Sequence, residues 1–152
     1  MRCLGREGFF IRHKKAENMG EQKNSDRAEI FAKLQHDSVA FFEYVDDQVD
    51  WTVMGTHPLA GRYRTKKDFL AHTFDRLDRI MRDGVKLTVQ HLYHAGDTTI
   101  VEFLSTSTTL DGKSFHNTYC WVCRFAHDRI VEVRAYVDSA LVQTAIDQNE
   151  SH

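Results

Sequence analysis

The sequence predicts an α+β domain shaped like a cone, with one curved antiparallel sheet and N-terminal helices packed over its concave face. Two observations predict it. Helical periodicity is confined to the first half of the chain and a short final segment, while the stretch between reads as strand after strand. The strands are also long, ~9–13 residues against a usual ~5–6, and long strands coil, which gives the sheet a concave side.

Each element has a local reason. Asn24-Ser25-Asp26 offers N-caps, and Ile30, Phe31, Leu34, Val39, Phe41, Phe42 and Val45 recur at roughly helical spacing. This predicts a helix over 26–45, with or without a bend near His36-Asp37-Ser38. A short strand over 49–54 follows, then a turn over 55–61 that holds the sole proline, Pro58. Thr65 opens a second helix running to about 82, with Phe69, Leu70, Phe74, Leu77, Ile80 and Met81 in one stripe and Asp83-Gly84 ending it. Four strands are expected over 85–93, 98–110, 115–125 and 130–137, separated by Gly96-Asp97, Asp111-Gly112 and His127-Asp128. A short helix over 139–148 closes the chain.

Composition narrows the function classes. The chain has 152 residues, enough to bury a core as one domain. Its net charge of -2 leaves no basic excess to track a phosphate backbone, so nucleic acid is not an expected partner. No apolar run reaches the ~20 residues of a membrane span. Three cysteines, an odd number, do not suggest a disulfide framework, and the expected compartment is reducing and cytoplasmic. Cys120 and Cys123 form a C-x-x-C inside a strand, where residues three apart face opposite ways, so two separate thiols are expected rather than a redox pair or half a zinc site. Residues 1–22 are set apart as a flexible basic leader, with Met19 as an alternative natural start, and residues 23–152 as the single domain. A basic amphipathic anchor is the other reading of the leader.

Alternation sorts the strands into faces. Phe115, Asn117, Tyr119, Trp121, Cys123 and Phe125 form the larger, more aromatic set of their strand and are assigned inward. Val131, Val133, Ala135 and Val137 are assigned inward on the last strand, with Ile130 outward, and Ala135 leaves volume among bulky neighbours. The strand over 98–110 stays open: either Ile100, Glu102 and Leu104 or Val101, Phe103 and Ser105 face the interior. If Glu102 is inside, its carboxylate sits in an apolar chamber beside Asn117 and Tyr119, a candidate acid–base trio; otherwise it faces solvent. His57, in the turn, is either an acid–base group at the pocket rim or an exposed turn histidine. Trp51 and Trp121 are core aromatics or a ligand wall. Asp138 is read as the cap of the closing helix.

The run Asp50-Trp51-Thr52-Val53-Met54-Gly55-Thr56-His57-Pro58-Leu59-Ala60-Gly61 resembles the first strand and turn of SnoaL-like proteins. Asn117-Thr118-Tyr119-Cys120-Trp121-Val122-Cys123-Arg124-Phe125 and the segment from Ile130 to Asp138 resemble their last two strands. These belong to the superfamily of nuclear transport factor 2 and ketosteroid isomerase, and the resemblance spans about residues 26–148. It implies an NTF2-like cone-shaped barrel, commonly a homodimer through the outer sheet face, and a small-molecule pocket that needs no metal or redox cofactor. Its members include isomerases, epoxide hydrolases, polyketide cyclases and non-catalytic binding or interaction domains. The family's catalytic aspartates correspond here to Thr52, Trp121 and Ala135, none of which performs that role.

The expected function is therefore a ketosteroid isomerase-like pocket protein acting on a small apolar molecule, by isomerisation, dehydration or cyclisation. Glu102, Tyr119 and His57 are the candidate catalytic residues. Trp51, Thr52, Met54, Asn117, Trp121, Val133 and Ala135 are the expected pocket. A non-catalytic hydrophobic-ligand-binding domain and a dimerising interaction module remain alternatives, so the sequence leaves open whether the protein is an enzyme.

Overall fold

A computed structural model describes residues 7–150. Helix α1 (Glu7–Ala32) begins well upstream of Asp26, because the residues between are mostly good helix formers. Its last part packs on the domain through Arg27, Ile30 and Phe31, while residues 11–23 are exposed. Residues 1–6 of the expected leader, with Cys3, lie outside the described residues. The helix ends in a 3-10 turn (Lys33–Gln35), and α2 (Ser38–Phe42) restarts after Asp37, whose carboxylate accepts the Ala40 N–H at 3.0 Å. The expected helix over 26–45 is thus broken at His36-Asp37-Ser38.

The second helix is α3 (Lys66–Phe69), capped by Thr65, which passes through a π turn (Leu70–Phe74) into α4 (Asp75–Asp78). Helix α5 (Ser139–Asn149) is capped by Asp138, whose carboxylate accepts from the Ala140 and Leu141 N–H groups.

The main sheet has the order β2-β1-β8-β7-β4-β3. Its strands are β1 (Val45–Val53), β2 (Gly61–Tyr63), β3 (Leu87–Ala95), β4 (Thr98–Ser105), β7 (Thr118–Ala126) and β8 (Arg129–Val137). All neighbours are antiparallel except β1 and β8, which run parallel. The expected strand over 98–110 is cut at Thr106: the Ser105 hydroxyl accepts the Ser107 N–H at 3.3 Å, a local bond that competes with the ladder. The chain then forms a small separate ribbon, β5 (Ser107–Thr108) with β6 (Ser114–Phe115).

Register decides the faces. Val101 pairs with Trp121 and Phe103 with Tyr119, so Val101, Phe103 and Ser105 face the core and Glu102 faces outward. On β8 the order of faces changes at Val131. Phe125 pairs with Ile130 but Arg124 pairs with Glu132, so Val131 is an extra residue in a bulge. Both Ile130 and Val133 are therefore fully buried, which corrects the outward assignment of Ile130. Cys123 is buried and Cys120 lies on the outer face, as strand alternation requires.

The core is largely aromatic where helices meet sheet. Phe31 packs against Phe41, Phe103 and Phe125, and Trp121 is edge-on to Trp51 and Phe103. Such rings bury large apolar areas and favour tilted or edge-on contacts.

Candidate functional site

A cavity of about 50 Å3 lies between the sheet and the helices that cover it. Its sheet wall is built by Trp51 and Val53 of β1, Tyr119 and Trp121 of β7, and Ala135 and Val137 of β8. Alternation places these on one face, and register aligns them: Ala135 pairs with both Trp121 and Val53. Ala135 is the small residue in this row, and the space its side chain does not fill belongs to the cavity.

The opposite wall comes from the helices. Phe69, Thr73, Phe74 and Leu77 face the cavity from α3, the π turn and α4. Phe69 stacks on Trp51 with ring centroids 3.9 Å apart. The Thr73 hydroxyl donates to the Phe69 carbonyl at 2.6 Å, so its polarity is satisfied within the helix. Val85, Leu87 of β3, Val142 of α5 and the turn residues His57 and Leu59 complete the lining.

His57 is 5% exposed, so the turn folds it inward rather than leaving it in solvent. Nε2–H donates to the Met54 carbonyl at 3.0 Å, and Nδ1 accepts the Leu59 N–H at 3.3 Å. These partners fix the tautomer and occupy both nitrogens. As placed, the imidazole braces the turn and offers no ring nitrogen to a substrate.

Glu102 does not join the cavity. It projects from the outer sheet face, between His91 and Cys120 in the cross-strand ladder. The expected trio does not assemble. Burial, then the nearby Glu102 charge, hold the Cys120 thiol above its ordinary value. Asn117 is buried but committed elsewhere: its amide donates to the Asp138 carbonyl at 3.3 Å and accepts the Asp138 N–H at 3.1 Å. It anchors the start of α5.

Of the expected pocket, Trp51, Trp121 and Ala135 line the cavity. Thr52 turns to the outer face, opposite Arg62 and Arg134. Met54 does not line the cavity; its backbone N–H donates to the Ala135 carbonyl at 2.8 Å. Val133 is buried in the core away from the cavity. Phe69, Phe74 and Leu77 lay in the apolar stripe read from the sequence, whereas Thr73 and Val142 did not, and the π turn that presents Thr73 and Phe74 carries no sequence signal.

Two polar atoms stand out. The Trp51 Nε1–H and the Tyr119 hydroxyl are buried with no hydrogen-bond partner. Both residues belong to the cavity wall and both pack edge-on against Trp121, at 5.1 and 6.5 Å. Burial pushes the Tyr119 phenol far above the usual tyrosine range, so it stays protonated and a donor. Among the described residues that line the cavity, none is Asp, Glu, Lys or Arg. No group of three or more His, Cys, Asp or Glu among the described residues is placed to hold a metal ion.

The sequence profile of the SnoaL-like domain matches residues 29–133, most of the chain. The protein belongs to the SnoaL-like family. Among curated relatives, this SnoaL-like chain is 32% identical over 127 residues to the dimerizing cyclase phiC of a fungal species, a match covering 81% of this chain and 56% of that protein. It is 28% identical over 124 residues to the dimerizing cyclase tstC of Talaromyces stipitatus, covering 79% and 55%. The chain therefore spans a little over half the length of the curated relatives it matches. Among solved structures, an NTF2-like protein of Burkholderia thailandensis superposes with a TM-score of 0.68 at 29% identity, covering 82% of this chain and 96% of that one. The NTF2-like fold expected from the sequence is thereby shown. No helix among the described residues is long and apolar enough to cross a membrane.

Proposed function

We propose that this SnoaL-like protein is a cyclase- or isomerase-type enzyme that holds a small, largely apolar molecule in the cavity between its sheet and its helices. The observation that carries the reading is the wall of the cavity: almost entirely apolar, with no Asp, Glu, Lys or Arg among its described residues. Such a chamber disfavours a charged substrate. It suits a reaction whose barrier is lowered by holding an apolar chain in a reactive shape, away from water. Positioning of that kind supplies a large part of the catalysis when reacting atoms are brought together. The names of the two fungal relatives point to the same class. Pockets that hold drug-sized ligands measure ~300–1,000 Å3, so a molecule of that size enters only if the wall yields.

A second reading is ligand binding without turnover. The commitment of both His57 nitrogens and the outward direction of Glu102 favour it, since they leave no base in the wall. A homodimer through the outer sheet face, in the cytoplasm, is part of the proposal; Tyr93 and Tyr136 stand on that face, 55% and 47% exposed.

The test is native mass spectrometry of protein isolated from its own host, followed by incubation of any released ligand with fresh protein. A dimer carrying a neutral low-mass adduct that is converted to an isomer of equal mass supports the enzyme. An adduct returned unchanged supports the binding reading. Bare protein, with no thermal shift from small apolar ring compounds, overturns both.

A further inference from the structure

We propose that helix α5 is the movable wall of the cavity: it swings about Asp138, is latched shut by Gln148, Asn149 and Glu150, and admits a small apolar molecule when that latch opens. The proposal rests on the reading of the cavity as a binding chamber and adds the route by which the chamber is filled.

A space of about 50 Å3 is far below the ~300–1,000 Å3 of a site for a drug-sized ligand, so some part of the wall must yield. Most of it is poorly built to do so. The sheet wall is a paired ladder, with Ala135 held between Trp121 and Val53. The wall from α3 to α4 is locked by rings: Phe69 stacks on Trp51, and Phe42 packs against Trp51, Phe69 and Phe74. Moving it would break aromatic contacts and expose large apolar areas. The turn after β1 is braced by His57, and its Leu59 carbonyl accepts from the Tyr63 hydroxyl at 2.9 Å.

Helix α5 is attached differently. It contains no aromatic residue and buries Val142, Ala145 and Ile146, of which Val142 lines the cavity. The rest of its hold is polar and sits at its two ends. At the first end, Asn117 exchanges two hydrogen bonds with Asp138, and the Ser139 hydroxyl is seated closely against Gly55. That end is a fixed pivot. At the far end, three consecutive side chains reach out to neighbouring elements. Gln148 Oε1 accepts from Lys113 Nζ, and Asn149 Oδ1 accepts the Asp111 N–H at 2.9 Å, both in the turn between β5 and β6. Glu150 takes the guanidinium of Arg76 on α4 through both carboxylate oxygens. These bonds lie at or near the surface, where water replaces them at small net cost. Their release lifts Val142 from the cavity while the pivot and the other walls stay in place.

Both tryptophans of the chain line the cavity and are 0% and 4% exposed, so their fluorescence reports its opening. Wild type is compared with Glu150→Gln and with the double variant Gln148→Ala/Asn149→Ala, which leaves Arg76 paired. Hydrogen exchange of α5 and of residues 66–74 is read by mass spectrometry. Tryptophan quenching by acrylamide is measured, and uptake of 1-aminonaphthalene is followed by energy transfer from the tryptophans. In wild type, α5 is expected to exchange ahead of residues 66–74. Each variant is expected to speed α5 exchange and probe uptake by about three- to tenfold, the effect of one or two surface bonds, with a rise in quenching and no change over 66–74. Equal acceleration of α5 and of 66–74 would show the wall loosening as a whole and overturns the proposal. Faster α5 exchange with unchanged probe uptake puts the entrance elsewhere, which overturns the movable wall and leaves the binding chamber standing. No uptake of the probe by any of the three proteins overturns the chamber, and its movable wall with it.

Discussion

Arg76 and Glu150 form a two-pronged ion pair that ties the cavity's helical wall to the end of α5: Nε to Oε1 is 2.6 Å and Nη2 to Oε2 is 2.9 Å. The same guanidinium reaches the Pro58 carbonyl at 3.4 Å. One side chain thus joins α4, the turn after β1 and the last turn of the chain, three segments that enclose the cavity. The Glu150 carboxylate holds the Arg76 guanidinium above its already high ordinary value. With side chains 31% and 30% exposed, the pair is partly shielded from water. Arg76→Met, which keeps the apolar stem, is expected to cost about 1–2 kcal/mol of stability. A double-mutant cycle with Glu150→Gln, read by urea unfolding, isolates the pair; a coupling energy near zero would show that the fork holds nothing.

Gly55 sits at φ +111° where β1 enters the turn, and a Cβ there would lie 2.7 Å from the Ser139 hydroxyl and 3.0 Å from the His57 ring. Gly96 also has a positive φ, +62°, but open space around it. Gly96→Ala is expected to cost about 1 kcal/mol, the backbone strain alone. Gly55→Ala adds the collision with the base of α5 and with His57, for a total of about 2–4 kcal/mol. Equal losses in the two variants would mean that Ser139 and His57 move aside freely and that the turn is not tightly held.

How much of this site could be read from the sequence depended on whether local pattern or pairing decided the outcome. The order of elements and the inward set of β7 follow from periodicity, so Trp121 and its neighbours were legible. So was Ala135, as the gap in an otherwise bulky row. Glu102 was not, because both faces of β4 carry apolar residues, and the choice is made by its pairing with Cys120 on the neighbouring strand. Ile130 was misassigned because a bulge at Val131 shifts the alternation without a marker in composition. His57 lies among turn residues that read as exposed, and its burial rests on two backbone bonds that exist once the turn has folded. The two unpaired donors are visible only when every neighbour of Trp51 and Tyr119 is placed.

Tyr119→Phe is expected to stabilise the ligand-free protein. Removing a buried hydroxyl without a partner removes its desolvation cost and keeps the ring against Trp121. The gain is expected at about 1–2 kcal/mol, measured by thermal unfolding. A loss of similar size would mean that the hydroxyl is satisfied in solution.

Alkaline pH should weaken the fold through two buried acids. Burial raises the folded-state values of both Tyr119 and Cys123, and the Cys120 thiol adds a smaller effect on Cys123. In the unfolded chain they ionise near their ordinary values, about 8.5 for Cys and about 10 for Tyr. Their stabilising contribution is therefore complete below about pH 8.5 and falls as pH climbs toward the raised folded values, by up to about 1.4 kcal/mol per pH unit for each group. Urea unfolding at pH 8, 9.5 and 10.5 should show the decline, and Cys123→Ala should flatten its first part. A wild-type profile no steeper than that of the variant would contradict the assignment.

At the other end of the sheet, Arg27, Thr99 and His94 lie in a row that bears on stability at mildly acid pH. Arg27 is 7% exposed, lies over the Phe125 ring at 4.5 Å, and donates to the Gly96 carbonyl at 2.9 Å and the Thr99 hydroxyl oxygen at 3.3 Å. The Thr99 hydroxyl also lies 3.0 Å from His94 Nδ1. Protonation of the His94 ring would set a second positive charge around the hydroxyl that already accepts from Arg27. Burial first, and the Arg27 charge second, lower the His94 value below the usual histidine range. The folded form therefore resists a proton that the unfolded chain takes up near pH 6.5. This contribution is complete above that pH and is lost as pH falls through the depressed folded value. His94→Gln keeps a hydrogen-bonding partner for Thr99 and removes the titration. The gap in unfolding free energy between wild type and His94→Gln should shift against wild type between pH 7.5 and 5, by at most about 1.4 kcal/mol per pH unit. Parallel profiles over that range would show that His94 titrates alike in both states and that the row does not exclude its proton.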